Sequence, residues 1–418
     1  MKKICKLFSL LLAVIGATYF AACGACGGKG PSTVRLTVWC PDRDMEMTKN
    51  MCKAFAEQHR EVQYEFLYAA QGEGDAAESI LKDLEAGADV FSFAGDQINK
   101  LIPAGALARL GGQNLATMQT QNLPDSVAAA TVKINGEERA YAYPVTADNG
   151  YFLYYDKRVL SEEDVSSLDG ILKKGTASKQ FAMPLNDGWY LSAFFFALPE
   201  LGYEVTYDDN LNQTSVKINF DDENGEKVAQ ALYRYICNPA VMSAADDSKI
   251  ISGFEKGTVI AAVSGSWNAT DLQRVLGENL GTAKLPTVTI EGAQVQLSSY
   301  AGYKLIGVNG YSKNKGEAHK LALWLTNYDN QMTRYRARGF APTNLRAAEN
   351  EEVKADPILS ALAAQRQFAR TQKDVPVNYW TPTKGFGNAL IGAKDGSMTK
   401  EKLKQQLVAM CENIRKTA

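Results

Sequence analysis

The 418-residue chain carries 45 Lys and Arg against 47 Asp and Glu, a formal net charge of −2, with 45% hydrophobic and 22% charged residues. That is chain enough for two domains of ordinary globular composition. It lacks the basic excess that a phosphate backbone or an anionic lipid surface demands, which excludes nucleic acid as a partner and a general attraction to lipid.

Lys2, Lys3 and Lys6 precede an apolar run over residues 7–17, and Ala21-Ala22-Cys23 follows. A charged start, a hydrophobic region and small residues before a cleavage point read as a secretory signal over residues 1–22. The run is shorter than the roughly 20 residues a membrane span needs. Residues 24–32 are a Gly-rich, flexible tether. Within it Gly27-Gly28-Lys29-Gly30 follows no strand and precedes no Ser or Thr, so it is not a phosphate loop. The seven cysteines have no zinc-type spacing. Cys40 with Cys52 is open as a pair in an exported chain, and buried free thiols are the alternative. His59 and His319, the two histidines, sit on polar helical stretches and are expected to face solvent. They are too few for a His-based triad or metal site, and no cofactor is expected.

Residues 34–39 read as a first strand. Met47, Met51 and Phe55 then recur at helical spacing through His59. Residues 62–68 alternate as a second strand. Asp75 and Glu78 have the spacing of a capping box that opens a helix to Glu85, with Gly87 as its stop. Residues 89–93 form a third strand. This β-α-β-α-β order implies a parallel sheet with right-handed crossovers, and ligands of such sheets sit beyond the carboxyl ends of the strands. Residues 39–44 and 93–97 therefore share one rim. A hairpin turn is expected at Asn135-Gly136. Segment 141–157, YAYPVTADNGYFLYYDK, then joins two extended pieces. Pro144 biases its neighbour to extended backbone, and Asn149-Gly150 permits a sharp change of direction. Its tyrosines and its lone acid, Asp148, lie either on a crossing between two lobes or on an ordinary aromatic sheet edge.

A second α/β block follows. The loop 186–190 leads into a helix at 191–198. Residues 224–237 are helical with Val228, Leu232 and Ile236 on one face. Residues 259–263 are a buried strand, Ser264-Gly265-Ser266-Trp267 follows at its carboxyl end, and Asn268 or Thr270 caps the next helix. Residues 297–308 return as an extended segment. Residues 314–328 read as one helix with Leu321, Trp324, Leu325 and Tyr328 toward the core, and 339–344 break the pattern. Residues 357–370, 385–391 and 399–416 read as further helices.

Taken in order, Ala21-Ala22-Cys23, the tether, residues 86–97 (AGADVFSFAGDQ), segment 141–157, residues 254–267 (FEKGTVIAAVSGSW), the 285–287 stretch and residues 339–344 (GFAPTN) resemble extracytoplasmic solute-binding proteins of sugar ABC importers, the family of maltose/maltodextrin-binding protein. The resemblance implies cleavage before Cys23 and acylation of that cysteine, with Cys26 as the second candidate. It implies a two-lobed α/β fold of the type II periplasmic-binding-protein kind, hinged between discontinuous lobes. Residues 33–146 plus 302–345 would form the first lobe and 147–301 plus 346–418 the second. It further implies a monomeric, non-enzymatic receptor, anchored outside the cytoplasm by its lipid. Such a receptor holds a maltodextrin-type oligosaccharide between its lobes and delivers it to the importer's transmembrane subunits. Carried over by position, the first lobe offers Trp39, Asp42 and Asp44, then Phe93, Asp96 and Gln97, and the crossing offers Asp148. The second lobe offers Trp189, Tyr190, Trp267, and Trp380 or Phe386. Gln97 stands where the family has a basic residue, and Asp148 where a longer acid is usual.

The residue types suit a sugar on their own account. Aromatic faces cover the apolar ring face and add roughly 0.5–1.5 kcal/mol beyond area burial. Carboxylates and amides take up the hydroxyls, since each unpaired buried partner costs about 1–3 kcal/mol. Other roles stay open: Trp39 also suits the core, and Asp42, Asp44 and Asp96 also suit helix caps. A receptor for a peptide, polyamine or anion is a second reading. A secreted glycoside hydrolase is a third, for which Asp42, Asp96, Asp148 and Asp187 supply acids without a spacing that singles out a pair.

Overall fold

The computed structural model describes residues 33–417. The expected signal peptide (1–22), the tether (23–32) and lipidation at Cys23 lie outside the described residues. A six-stranded and a five-stranded sheet organise the chain. The first contains β1 (Thr33–Cys40), β2 (Gln63–Ala70), β3 (Val90–Ala94), β4 (Ala142–Gly150), β10 (Ser299–Val308) and β11 (Ala369–Thr371). Its order is β11-β10-β3-β1-β2, with β4 also paired to β10. The second contains β5 (Phe152–Asp156), β6 (Gln180–Ala182), β7 (Val241–Met242), β8 (Val259–Ser264) and β9 (Leu280–Ala283), in the order β7-β6-β8-β5-β9.

Both sheets are covered on both faces, and the strands carry the period-2 signature of that burial. In β3, Phe91 and Phe93 enter one core cluster while Val90 enters another. In β5, Leu153 and Tyr155 point into one cluster, and Phe152 and Tyr154 into its opposite. Within the first sheet β1 runs parallel to β2 and β3. Within the second, β6 runs parallel to β7 and β8. The carboxyl ends of each parallel set therefore lie on one rim.

The lobes are joined through segment 141–157. β4 belongs to the first sheet, and β5, one residue later, belongs to the second. β10 makes a second crossing: Tyr300 packs in the second core, while its residues 304–308 pair with β3. The sharp change of direction that Asn149-Gly150 permits is not taken. Backbone stays extended through Gly150, whose bareness serves proximity, since a Cβ there would lie 3.1 Å from the Tyr300 carbonyl oxygen.

The Asn135-Gly136 hairpin forms as expected, with both residues at positive φ. Other expectations fail locally. The 314–328 helix is two helices, Lys315–Leu325 and Tyr328–Arg338, because Asn327 accepts from the Asn330 N–H and starts a new cap. The 357–370 helix ends at Arg366, and Ala369–Thr371 joins the sheet beside β10. Asp75 does not cap Ala76–Lys82, and neither Asn268 nor Thr270 caps Ala269–Leu276 by its side chain. His319 does not face solvent freely. It is half-buried, its Nδ1 lies 2.9 Å from the Tyr143 hydroxyl, and burial lowers its pKa. Cys40 and Cys52 are free and buried.

Candidate functional site

Between the two rims lies a cleft of about 860 Å³. The first lobe contributes the loops at the ends of its strands: Pro41, Arg43 and Asp44 after β1, Glu73 to Asp75 after β2, and Asp96 after β3. The second does the same with Asn186 to Tyr190 after β6, Ala245 to Asp247 after β7, and Trp267 after β8. Trp380, at the start of helix Trp380–Gly392, and Gln372 close the hinge side.

Aromatic plates line the second lobe. The Trp189 and Trp267 rings lie 5.9 Å apart at an angle of 38°. Trp267 folds back over Gly265, where a Cβ would stand 2.0 Å from the indole. Its Nε1 points to Asp247, which also accepts from the Asn268 amide at 2.6 Å. Asn268 Nδ2 also donates to Ser264 Oγ at 2.9 Å, and its Oδ1, the atom a helix cap would use, lies 3.4 Å from Arg43 Nη1 instead. Trp189 is oriented by Gln372, whose Oε1 accepts from Trp189 Nε1 at 3.1 Å and from Asn149 Nδ2 at 2.9 Å. Tyr190 lines the cleft while its ring packs against Tyr151 and Trp189.

Polar groups line both lobes, with Asp187, Asp246 and Asp247 on the second and Asp44, Glu73, Asp96 and Lys304 on the first. Asp44 is 8% exposed and ion-paired to Arg338, with Nε 3.2 Å from Oδ1. Asp96 is half-buried and one of its carboxylate oxygens has no hydrogen-bond partner. Burial pushes its pKa up to about 6, against the pull of its own backbone N–H and of the Trp380 and Gln372 side chains. Burial likewise raises Glu73, with Lys304 opposing. For Lys304 burial pulls down, but Glu73, Asp148 and Asp44 outweigh it and the pKa ends above its ordinary value.

Asp44, Asp96, Gln97, Trp189, Tyr190, Trp267 and Trp380 thus gather around one cleft. Asp42, Phe93, Asp148 and Phe386 are not among its lining residues, which corrects their expected positions. In the short turn Asp42–Asp44 only Asp44 turns inward, and Asp42 is exposed. Phe93 shares the inner face of β3 with Phe91 and is core. Phe386 is packed near Phe195. Trp39 also packs in the first lobe's core. Asp148 is 0% exposed and accepts from Ser266 Oγ, so it joins the hinge strand to the Trp267 loop rather than opening on the cleft. Gln97 reaches the rim, but its amide is engaged: Oε1 accepts from Ala77 N–H and Nε2 donates to the Glu73 carbonyl, both at 2.9 Å. It does the capping that Asp75 does not.

Sequence reasoning missed Glu73, Lys304, Arg338, Phe340 and Gln372. The readable signal was Lys304, a lone cation inside the otherwise apolar run of β10. Among the described residues no group of three or more His, Cys, Asp or Glu is arranged to hold a metal, and no helix is long and apolar enough to cross a membrane.

Two α/β lobes hinged around a ring-lined cleft define a solute-binding architecture. Residues 50–361 match the family model described as bacterial extracellular solute-binding protein, and the chain belongs to that family. Among its relatives, the galactooligosaccharide-binding protein of Bacillus subtilis (strain 168) is 25% identical over 404 residues, covering 91% of each chain. A solved structure with acarbose is 34% identical, with a TM-score of 0.80 over 92% of this chain and 99% of that one. The maltodextrin-binding protein MalE1 from L. casei BL23, solved without ligand, shares the fold at 22% identity, with a TM-score of 0.73 over 92% of this chain and 99% of that one. The family is one of extracellular solute binding rather than catalysis, its relatives include oligosaccharide binders, and family membership implies a place outside the cytoplasm.

Proposed function

We propose that the chain is a lipid-anchored receptor that takes an oligosaccharide, of maltodextrin type, into its inter-lobe cleft and hands it to an ABC importer. The observation that carries this reading is the pairing of indole plates on one rim with carboxylates on the other, across a cleft of about 860 Å³. That is the complement of a sugar, apolar on its ring faces and polar at its edge. Residues 33–146 plus 302–345 serve as one jaw and 147–301 plus 346–418 as the other. Asp44, Asp96, Trp189, Tyr190, Trp267 and Trp380 supply the contacts. The maltodextrin preference leans on the 34% identical structure solved with acarbose. The Bacillus subtilis relative favours a second reading, a galactooligosaccharide.

Titration calorimetry of residues 24–418 against malto-oligosaccharides, galacto-oligosaccharides, peptides and polyamines separates these. Heat with the malto series is the expected result. Binding of a non-carbohydrate alone sinks the proposal. For the anchor, Cys23→Ala should abolish palmitate labelling and release the protein from membranes, whereas Cys26→Ala should do neither. The reverse pattern would move the lipid to Cys26.

A further inference from the structure

A strand buried on both faces ordinarily reads as an unbroken apolar run. Lys304 interrupts β10 between Tyr303 and Leu305, both buried. It is 7% exposed, yet among the described residues its ammonium has no hydrogen-bond or ion-pair partner. An ammonium carries three donors and no acceptor. The Lys304 nitrogen lies 4.7 Å from the Phe340 ring centre and 5.5 Å from that of Trp267, and it opens on the cleft beside Glu73. Glu73, Asp148, Asp44 and Arg338 are the charges that face it. Three donors are therefore left at the cleft floor for whatever the cleft holds.

We propose that Lys304 is a specificity-determining contact: its ammonium donates to a ligand hydroxyl oxygen while the Glu73 carboxylate accepts from that hydroxyl or its neighbour, so that the floor selects a neutral diol. This rests on the carbohydrate reading of the cleft. A sugar hydroxyl donates and accepts at once, which is what an adjoining ammonium and carboxylate require. An anionic group would meet three carboxylates against two cations, and a cationic one would compete with Lys304 itself. Trp267 comes from the second lobe yet sits over a first-lobe cation, so ligand contact and the approach of the lobes meet at one side chain.

The test is calorimetry of wild type, Lys304→Met and Lys304→Arg with maltotetraose and with β-galactotriose, followed by the monodeoxy series of whichever binds. Lys304→Met should weaken binding at least thirtyfold, and Lys304→Arg should recover part of it. One monodeoxy sugar should lose tenfold or more on wild type and little on Lys304→Met, a coupling that a merely structural lysine would not produce. Lys304→Met binding within threefold of wild type, or the same deoxy penalties on both proteins, overturns the proposal. If Lys304→Met does not fold, Glu73→Gln with the same series decides: loss of sensitivity to that hydroxyl supports it, unchanged sensitivity overturns it. No binding of either sugar to wild type removes the carbohydrate reading, and this proposal with it.

Discussion

Gly265 is where one added carbon has most leverage. Its Cβ would stand 2.0, 2.3 and 2.5 Å from three atoms of the Trp267 ring, against the 3.4 Å at which ordinary contact begins. The indole must retreat by more than an ångström, or the end of β8 must twist. Overpacking of this kind costs about 1–3 kcal/mol of stability. A displaced indole also forfeits its stacking and its share of buried apolar area against a sugar, together about 2–3 kcal/mol, on the order of 30–150-fold in Kd. Trp267→Ala removes the same plate without the clash, so its affinity loss should match. In the Trp267→Ala background, Gly265→Ala should then cost little stability, giving a coupling of about 1–3 kcal/mol. Calorimetry and thermal unfolding of the four proteins measure both effects. Gly265→Ala binding within twofold of wild type, or stability costs that simply add, would refute the placement of the ring.

Two further perturbations address the first lobe. Asp96 holds its proton up to about pH 6, above its ordinary 3.8. Between those values the folded state binds more protons than the unfolded chain, so this group's contribution to stability falls as pH rises through the window. Asp96→Asn should remove that slope, leaving the variant stabilised relative to wild type on the order of 1–3 kcal/mol more at pH 7.5 than at pH 3.5. Urea unfolding at the two pH values reads it, and a constant difference between the proteins contradicts it. Asp44→Ala leaves Arg338, only 17% exposed in its side chain, without its carboxylate. The expected cost is about 3 kcal/mol, with a smaller one for Asp44→Asn, and equal, negligible costs by the same assay would show the pair to be dispensable.

The strands themselves and the first lobe's rim were legible because β1, β3 and β5 send alternate apolar residues into opposite clusters, whereas the order of strands within each sheet was not read from the sequence. What was not legible depended on partners distant in sequence. Phe93 and Trp267 both stand near strand ends, but only Gly265 gives its ring somewhere to fold outward, and Phe93 is claimed by the same face as Phe91. Asp75 has the spacing of a cap, yet Gln97, 20 residues away from the amide it holds, takes the role. The break at Asn327 turns on one side-chain bond that periodicity does not register. Lys304 stands out in the sequence as the lone cation of an apolar run, but its place in the cleft depends on β10 pairing with β3, and Gln372 is placed by its N–H bond to the Ala301 carbonyl beside β10.

The hinge contacts also bear on how a ligand could shut the jaws. A ligand shifts such an equilibrium only through interactions it makes in one state and not the other. Some contacts cross the cleft without it: Arg43 Nη1 lies 3.4 Å from Asn268 Oδ1 and 3.9 Å from Asp271, and Arg338 approaches the Trp267 carbonyl at 3.5 Å. At these distances and exposures each is worth at most about 1 kcal/mol. Moving a two-state equilibrium from 1:99 to 99:1 takes about 5.5 kcal/mol, so these bridges alone leave most of the work to the solute. On the proposed reading the ring plates would reach a ligand from one lobe and Asp44, Asp96 and Lys304 from the other, so the full set of contacts would exist only when the lobes meet. The Ser266 bond to Asp148 differs in kind, because it ties the Trp267 loop to the strand that pivots. It fixes where the plate arrives, while the ligand determines how often it does.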